Sequence, residues 1–240
     1  MKKTVVWFML LCLGVVWPAL ASDVSQPQSV LYPFKNSIMV QEDFLNGINT
    51  AGQIGSLGFT TAGGLETAIV GSANRFGIIQ VDTSAVINTV ASMFLNNPGT
   101  LILPANDHSV LWVSQLNTND ANTLVRIGAF ESPIGNPPAD GIYFEKLAAD
   151  TNWFCVTRAA GVQTRTDSTV AVGTAYKNFK YTRNSSGVQF TLDQTNVCSV
   201  MTTNIPTLGL RATVELFNSA AASKTLDNDY FELRISGITR

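Results

Sequence analysis

Four short runs decide the fold: 140-DGIYFE-145, 152-NWFCVTR-158, 188-VQFTLD-193 and 202-TTNIP-206. Each is rich in aromatic and β-branched residues, which suit a pleated, half-buried surface. Turn-forming residues separate almost every run from the next. The tract predicts a meander of antiparallel strands and carries almost no reactive chemistry.

The same pattern continues on both sides. Within the tract, strands over 141–147, 152–158 and 162–167 are joined by the short turns 148–150 and 159–161. Strands over 177–183 and 188–192 flank 184-NSSG-187, a hairpin loop with its glycine late. Residues 193–196 turn the chain into 197–201, and strands over 208–217 and 230–238 finish the series. Upstream, strands are expected at 68–71, 75–82, 100–104 and 123–130, and in 109-SVLWVSQ-115 Val110, Trp112 and Ser114 alternate with Leu111, Val113 and Gln115. Between Gly47 and Gly64 the glycines are too dense for a helix interior. Val86, Ile87, Val90, Met93 and Phe94 fall at helical spacing, yet the Val, Ile and Thr content of that run favours a strand. About fourteen strands of this kind predict an all-β, two-sheet antiparallel β-sandwich of jelly-roll type, in which two apolar faces close on each other. No fixed-period repeat points to a propeller or a β-helix.

The other end of the chain speaks to compartment. Met1-Lys2-Lys3 precedes an apolar run over 5–16 that only Gly14 interrupts, then Pro18 and the small-residue site Ala19-Leu20-Ala21. This is the layout of a secretory signal peptide. Cys12 follows Leu11 inside the apolar run, which does not suit a lipoprotein acceptor. The expected organisation is a leader over 1–21, a polar lead-in over 22–37 and one sandwich domain over 38–240, secreted or periplasmic, with no membrane span after cleavage. Lys2 and Lys3 belong to the leader, which leaves 13 basic against 17 acidic side chains in the mature chain. These charges are scattered, whereas a nucleic-acid partner demands a clustered basic face.

Cys155 and Cys198 remain after cleavage, each within a predicted strand. In an exported protein such a pair forms a disulfide if the strands bring the Cα atoms within about 7 Å; otherwise both are small buried hydrophobes.

Several runs together resemble a known group: 140-DGIYF-144, 152-NWFCVTR-158, 161-GVQTRTDSTVAV-172, 176-YKNFKY-181, 188-VQFTLD-193, 202-TTNIP-206 and 227-DNDYFEL-233. Upstream, 42-EDFLNG-47, 55-GSLGF-59 and 75-RFGIIQVDTS-84 extend the likeness, which spans roughly 40–238. The chain resembles the concanavalin A-like lectin/glucanase sandwich domains found in bacteriophage structural and tail proteins. The leader departs from that pattern, because virion proteins assemble in the cytoplasm.

The resemblance implies three functions. The first is glycan binding or surface adhesion without catalysis, on a cell-surface or environmental polysaccharide. Sugar sites need an exposed aromatic platform beside hydrogen-bonding groups. The candidate aromatics are Trp112, Tyr143, Trp153, Tyr176 and Tyr181, with Asn152, Arg158 and Asn178 nearby in sequence. Trp153 shares a strand face with Cys155 and Thr157, and Phe154, Val156 and Arg158 point the other way. A calcium ion, often present in lectin relatives, would draw on Asp140, Asp150, Asp193, Asp227 or Asp229, and no site is assigned; no other cofactor is implied. The second function is structural, a phage-derived, appendage or surface-layer subunit, which leaves homo-oligomerisation open. The third is a polysaccharide-active enzyme of glucanase or lyase type. Retaining glucanases place two carboxylates about 5 Å apart. The nearest approach is Asp227 and Asp229 with Glu232, but 226-LDNDYFEL-233 lacks the E-x-D-x-x-E pattern and reads as turn formers entering the last strand. His108, the single histidine, has no G-x-S-x-G partner. No catalytic residue is assigned.

Overall fold

A computed structural model of the chain describes residues 36–45, 53–72, 75–95, 102, 106–131 and 137–238. The expected leader and most of the lead-in lie outside the described residues. Among the described residues fifteen strands follow one another: β1 (Ser37–Glu42), β2 (Phe59–Ala62), β3 (Leu65–Ser72), β4 (Arg75–Asp82), β5 (Thr89–Leu95), β6 (His108–Leu116), β7 (Thr123–Phe130), β8 (Gly141–Lys146), β9 (Asn152–Ala159), β10 (Val162–Ala171), β11 (Lys177–Asn184), β12 (Gly187–Leu192), β13 (Thr195–Met201), β14 (Arg211–Asn218) and β15 (Thr225–Ser236).

They form two antiparallel sheets, as expected of a β-sandwich. The eight-stranded sheet runs β13-β12-β11-β6-β15-β4-β3, with β1 also paired to β15; the seven-stranded sheet runs β10-β9-β8-β7-β14-β5-β2. The run over 85–94 is split: residues 85–88 make a turn in which Val86 and Ile87 are 61% and 54% exposed, and β5 begins at Thr89. The 184–187 loop is tighter than expected. Asn184 and Gly187 pair across the hairpin, leaving Ser185-Ser186 as the turn, and the Asn184 side chain accepts the Ser186 N–H at 2.9 Å.

Alternation builds the interior. In β6, His108, Val110, Trp112, Ser114 and Leu116 are buried and the residues between them half-exposed. Trp112 stacks against Phe231 at 4.7 Å and Phe59 at 5.6 Å, while its indole N–H donates to the Gly128 carbonyl of the other sheet at 3.1 Å. Trp153 packs edge-on to Phe179 at 4.7 Å, again across the two sheets. Such ring pairs contribute about 0.5–1.5 kcal/mol each beyond the area they bury.

The two mature cysteines are bridged. Cys155 in β9 and Cys198 in β13 join opposite sheets with Cα atoms 6.6 Å apart. Strict alternation would turn Cys198 away from buried Val197. A left-handed backbone at Cys198 (φ 61°), in a strand whose pairing with β12 is bulged, lets both side chains point inward.

Candidate functional site

The site begins with how β15 is shared. Residues 225–228 of β15 pair with β4, and residues 231–236 pair with β1 along the same edge. Asp229 is the odd residue between, where the register with β6 shifts. On leaving β1 the chain crosses the start of β4 at Gly77, where an added Cβ would stand 2.0 Å from the Asp43 carbonyl oxygen. Only glycine admits this crossing.

Asp43 is held from both sides. Glu42 turns inward and accepts the backbone N–H groups of Phe44 at 3.0 Å and Leu57 at 2.8 Å. Burial raises the Glu42 carboxyl above its ordinary value, against the opposing pull of those N–H groups. Phe44 is buried against Phe59, ring centres 5.7 Å apart.

The crossing walls a cleft of about 430 Å³ on the outer face of the eight-stranded sheet, lined by Asp43, Leu45, Arg75, Gly77, Val113, Asn178, Asp229 and Tyr230. Asn178, Val113 and Tyr230 are register neighbours on β11, β6 and β15, so rigid sheet fixes their spacing. The Arg75 guanidinium ion-pairs with Asp229 and lies 3.9 Å from the Tyr176 ring centre. Burial, then the charges of Asp227 and Asp229, push the Tyr176 phenol up to about 12, so it stays a neutral donor. Gln80 donates to Asp227 at 2.8 Å. Among the described residues, the Asn178 side-chain amide takes no hydrogen-bond partner; its backbone N–H donates to the Asp193 carboxylate at 2.9 Å and its carbonyl accepts the Asp193 N–H at 3.1 Å. A half-apolar hollow edged with carboxylate, amide, guanidinium and phenol groups offers donors and acceptors together, which is what a polyhydroxylated ligand requires.

Of the eight candidate sugar-site residues, the structure brings two here: Asn178 lines the cleft and Tyr176 lies under its Arg75. Trp112, Trp153 and Tyr181 face the interior and are buried, so they are core rings and not platforms. Tyr143 does point away from the interior, on the seven-stranded sheet, yet it too is buried, in a small cluster with Phe130 and Val156. Asn152 and Arg158 belong to that same sheet and are taken up by Asp167 at 3.1 Å and Gln163 at 2.8 Å. Asp43, Arg75 and Tyr230 were not anticipated. Their proximity follows from the shared edge of β15, which no local motif announces.

Asp227 and Asp229 lie inside β15, not in a turn before it. The bulge separates their roles: Asp227 meets Gln80 and Asp229 meets Arg75. His108 starts β6 as a buried ring whose Nδ1 lies 2.9 Å from the Asn106 carbonyl, and burial lowers its pKa. The five aspartates considered for calcium do not converge. Asp150 pairs with Arg165, Asp193 with Lys177, and Asp140 turns to the Ala160 N–H. Among the described residues no three acidic, histidine or cysteine side chains gather as metal ligands. The loop end near Asp150 is instead tied by Lys146, whose buried ammonium donates to the carbonyls of Asp120 at 2.7 Å and Thr123 at 2.6 Å. No helix among the described residues is long and apolar enough to cross a membrane.

With this geometry in place, residues 74–229 match the model of the family described as SO2946-like, C-terminal domain. The chain belongs to the SO2946-like family. No curated protein matches the sequence. Among solved structures it is similar to a protein of unknown function, SO2946, from Shewanella oneidensis MR-1, at 15% identity and a TM-score of 0.63, covering 95% of this chain and 98% of that one. The carbohydrate recognition domain of Emp47p is similar at 12% identity and a TM-score of 0.56, covering 82% and 95%. Peanut lectin is similar at 11% identity and a TM-score of 0.57, covering 85% and 99%. At these identities the likeness establishes the fold this SO2946-like chain shares with lectin-type domains, and not a ligand.

Proposed function

We propose that this SO2946-like protein is an exported, non-catalytic glycan-binding module, with the cleft of Asp43, Arg75, Asn178, Asp229 and Tyr230 as its ligand site. The observation that carries this is the cleft itself: an open hollow on rigid sheet whose lining mixes hydrogen-bonding groups with apolar surface. Two of the structures sharing the fold are a carbohydrate recognition domain and a lectin, which supports the same reading. The division into a leader over 1–21, a lead-in over 22–37 and a binding module over 38–240 belongs to this proposal. So does a secreted or periplasmic location, supported by the Cys155–Cys198 bridge. Against the glucanase alternative, Asp227 and Asp229 are each committed to a different side chain.

The test is a glycan-array screen of the mature chain, followed by titration of the best ligand. Saturable binding is expected, weakened about tenfold in Asn178→Ala by loss of a polar contact of roughly 1.4 kcal/mol. Unchanged affinity in that variant would remove the cleft from the mechanism. Absence of any glycan ligand, with a defined multimer by size-exclusion chromatography, would favour the assembly alternative. Polysaccharide cleavage would overturn the non-catalytic assignment.

A further inference from the structure

The cleft is one end of a longer feature. A second hollow, of about 390 Å³, is lined by Met39, Ser109, Thr182 and Arg234 among others. Strand registers put these four side by side across β1, β6, β11 and β15, on the same outward face as the first hollow. One row lies between: Lys180, Leu111, Glu232 and Gln41 are register neighbours. The floor joining the hollows is therefore half-exposed Leu111 and Val113, two aliphatic side chains on one strand. On one side stand Asn178, Lys180 and Thr182; on the other stand Tyr230, Glu232 and Arg234. From Ser109 to Val113 the strand rise gives about 14 Å, more than a single sugar ring spans.

The charges along this strip are mostly committed to one another. Arg75 pairs with Asp229, and Arg234 with Glu232 at 2.6 Å. Burial raises the Glu232 carboxyl, but hydrogen bonds from Arg234 and from Gln41 at 2.9 Å more than offset this and hold it below its ordinary value. Lys180 and Arg183 form no ion pair among the described residues, and the carboxylates of Asp43, Asp107 and Asp227 stand nearby. A polyanion would find two cations outside ion pairs set against three carboxylates. An uncharged chain with an apolar ring face and polar edges finds a matching floor and matching walls.

Resting on the glycan-binding reading above, we infer that the ligand is an extended, uncharged oligosaccharide lying along the strand direction over Leu111 and Val113 and filling both hollows, not a terminal monosaccharide held in one. The experiment is calorimetric titration of the mature protein with neutral gluco-oligosaccharides of both anomeric linkages, from monomer to hexamer, and with uronate oligomers of matched length. Affinity is expected to rise at least tenfold between the monomer and the longer neutral chains. Thr182→Trp, which fills the far hollow, is expected to abolish that gain and leave monomer and dimer binding unchanged, whereas Asn178→Ala weakens every length. Thermal unfolding checks each variant, and Ser236→Trp at an exposed position tests the same hollow if Thr182→Trp does not fold. Equal affinity for monomer and hexamer, with Thr182→Trp silent, overturns the extended site and leaves the single-cleft reading standing. Tighter binding of uronates overturns the charge argument. No binding of any of these sugars, with none on the array, overturns both readings.

Discussion

The two outer faces of the sandwich use similar side chains to opposite ends. On the eight-stranded sheet, the outward residues of β6 are half-exposed and Arg234 is exposed. On the seven-stranded sheet, the outward residues Arg126, Glu145, Glu215, Thr213, Phe130 and Tyr143 are all buried. There the Arg126 guanidinium bridges Glu145 at 3.1 Å and Glu215 at 2.5 Å, Glu145 passes on to Arg165 at 2.8 Å, and Arg165 pairs with Asp150. Arg165 also lies 3.4 Å over the Phe154 ring. Ionised groups out of water are held by their partners, because an uncompensated buried charge is costly. On the eight-stranded face Glu232 and Asp227 are buried too, but the Arg234 and Arg75 side chains stay 59% and 32% exposed, and pairs that reach water are of modest strength. One face is thus a charged lock, and the other is available chemistry.

The largest expected effect breaks the lock. Arg126→Met leaves Glu145 and Glu215 without their shared cation, so a loss of about 3–5 kcal/mol in urea unfolding is expected, with glycan affinity unchanged wherever the variant stays folded. A loss of binding at full occupancy of the fold would mean the two faces are coupled. Next comes the bridge between sheets. Cys155→Ala with Cys198→Ala, or reduction of the native chain, is expected to lower stability by about 2–4 kcal/mol, measured by chemical denaturation with and without reductant. Gly77→Ala comes third, at about 1–3 kcal/mol from forcing β4 away from the crossing segment over 43–45. This variant alone is expected to lower stability and glycan affinity together. The smallest effect sharpens the contrast through pH. Tyr176 keeps its proton in the folded state up to about 12 against an ordinary 10.0, so its share of stability is complete below 10.0 and declines as pH rises toward 12. Tyr176→Phe should shallow the alkaline decline of the melting temperature, and tyrosinate absorbance should show one fewer late-titrating phenol.

Much of the fold is legible in local pattern. The alternation in 109–115 and the aromatic runs from 140 to 192 appear as strands near the expected places, and the split of Trp153 from Phe154 across one strand follows from the two-residue period alone. The period does not say which face meets water. Trp112, Trp153 and Tyr181 were candidate platforms on that account, and Tyr143 fails for a different reason, because its own outer face is buried. The cleft is less legible still. Asp43 and Asp229 line one cleft because β1 and β4 divide one edge of β15, a long-range pairing, and the bulge at Asp229 breaks the alternation that would have placed it. Asn178 was within reach of sequence because it alternates with Phe179 on a clear strand.

The position of β15 carries a consequence for biosynthesis. It is the last of the fifteen strands in chain order, yet it lies mid-sheet, paired with β6, β4 and β1. Until residues 225–236 leave the ribosome, β1 has no strand to pair with among the described residues and the eight-stranded sheet cannot close. Pairings this distant in sequence form slowly. If the chain is exported unfolded, as proposed above, that order of assembly suits it: the sheet bearing the cleft stays open until β15 has been made.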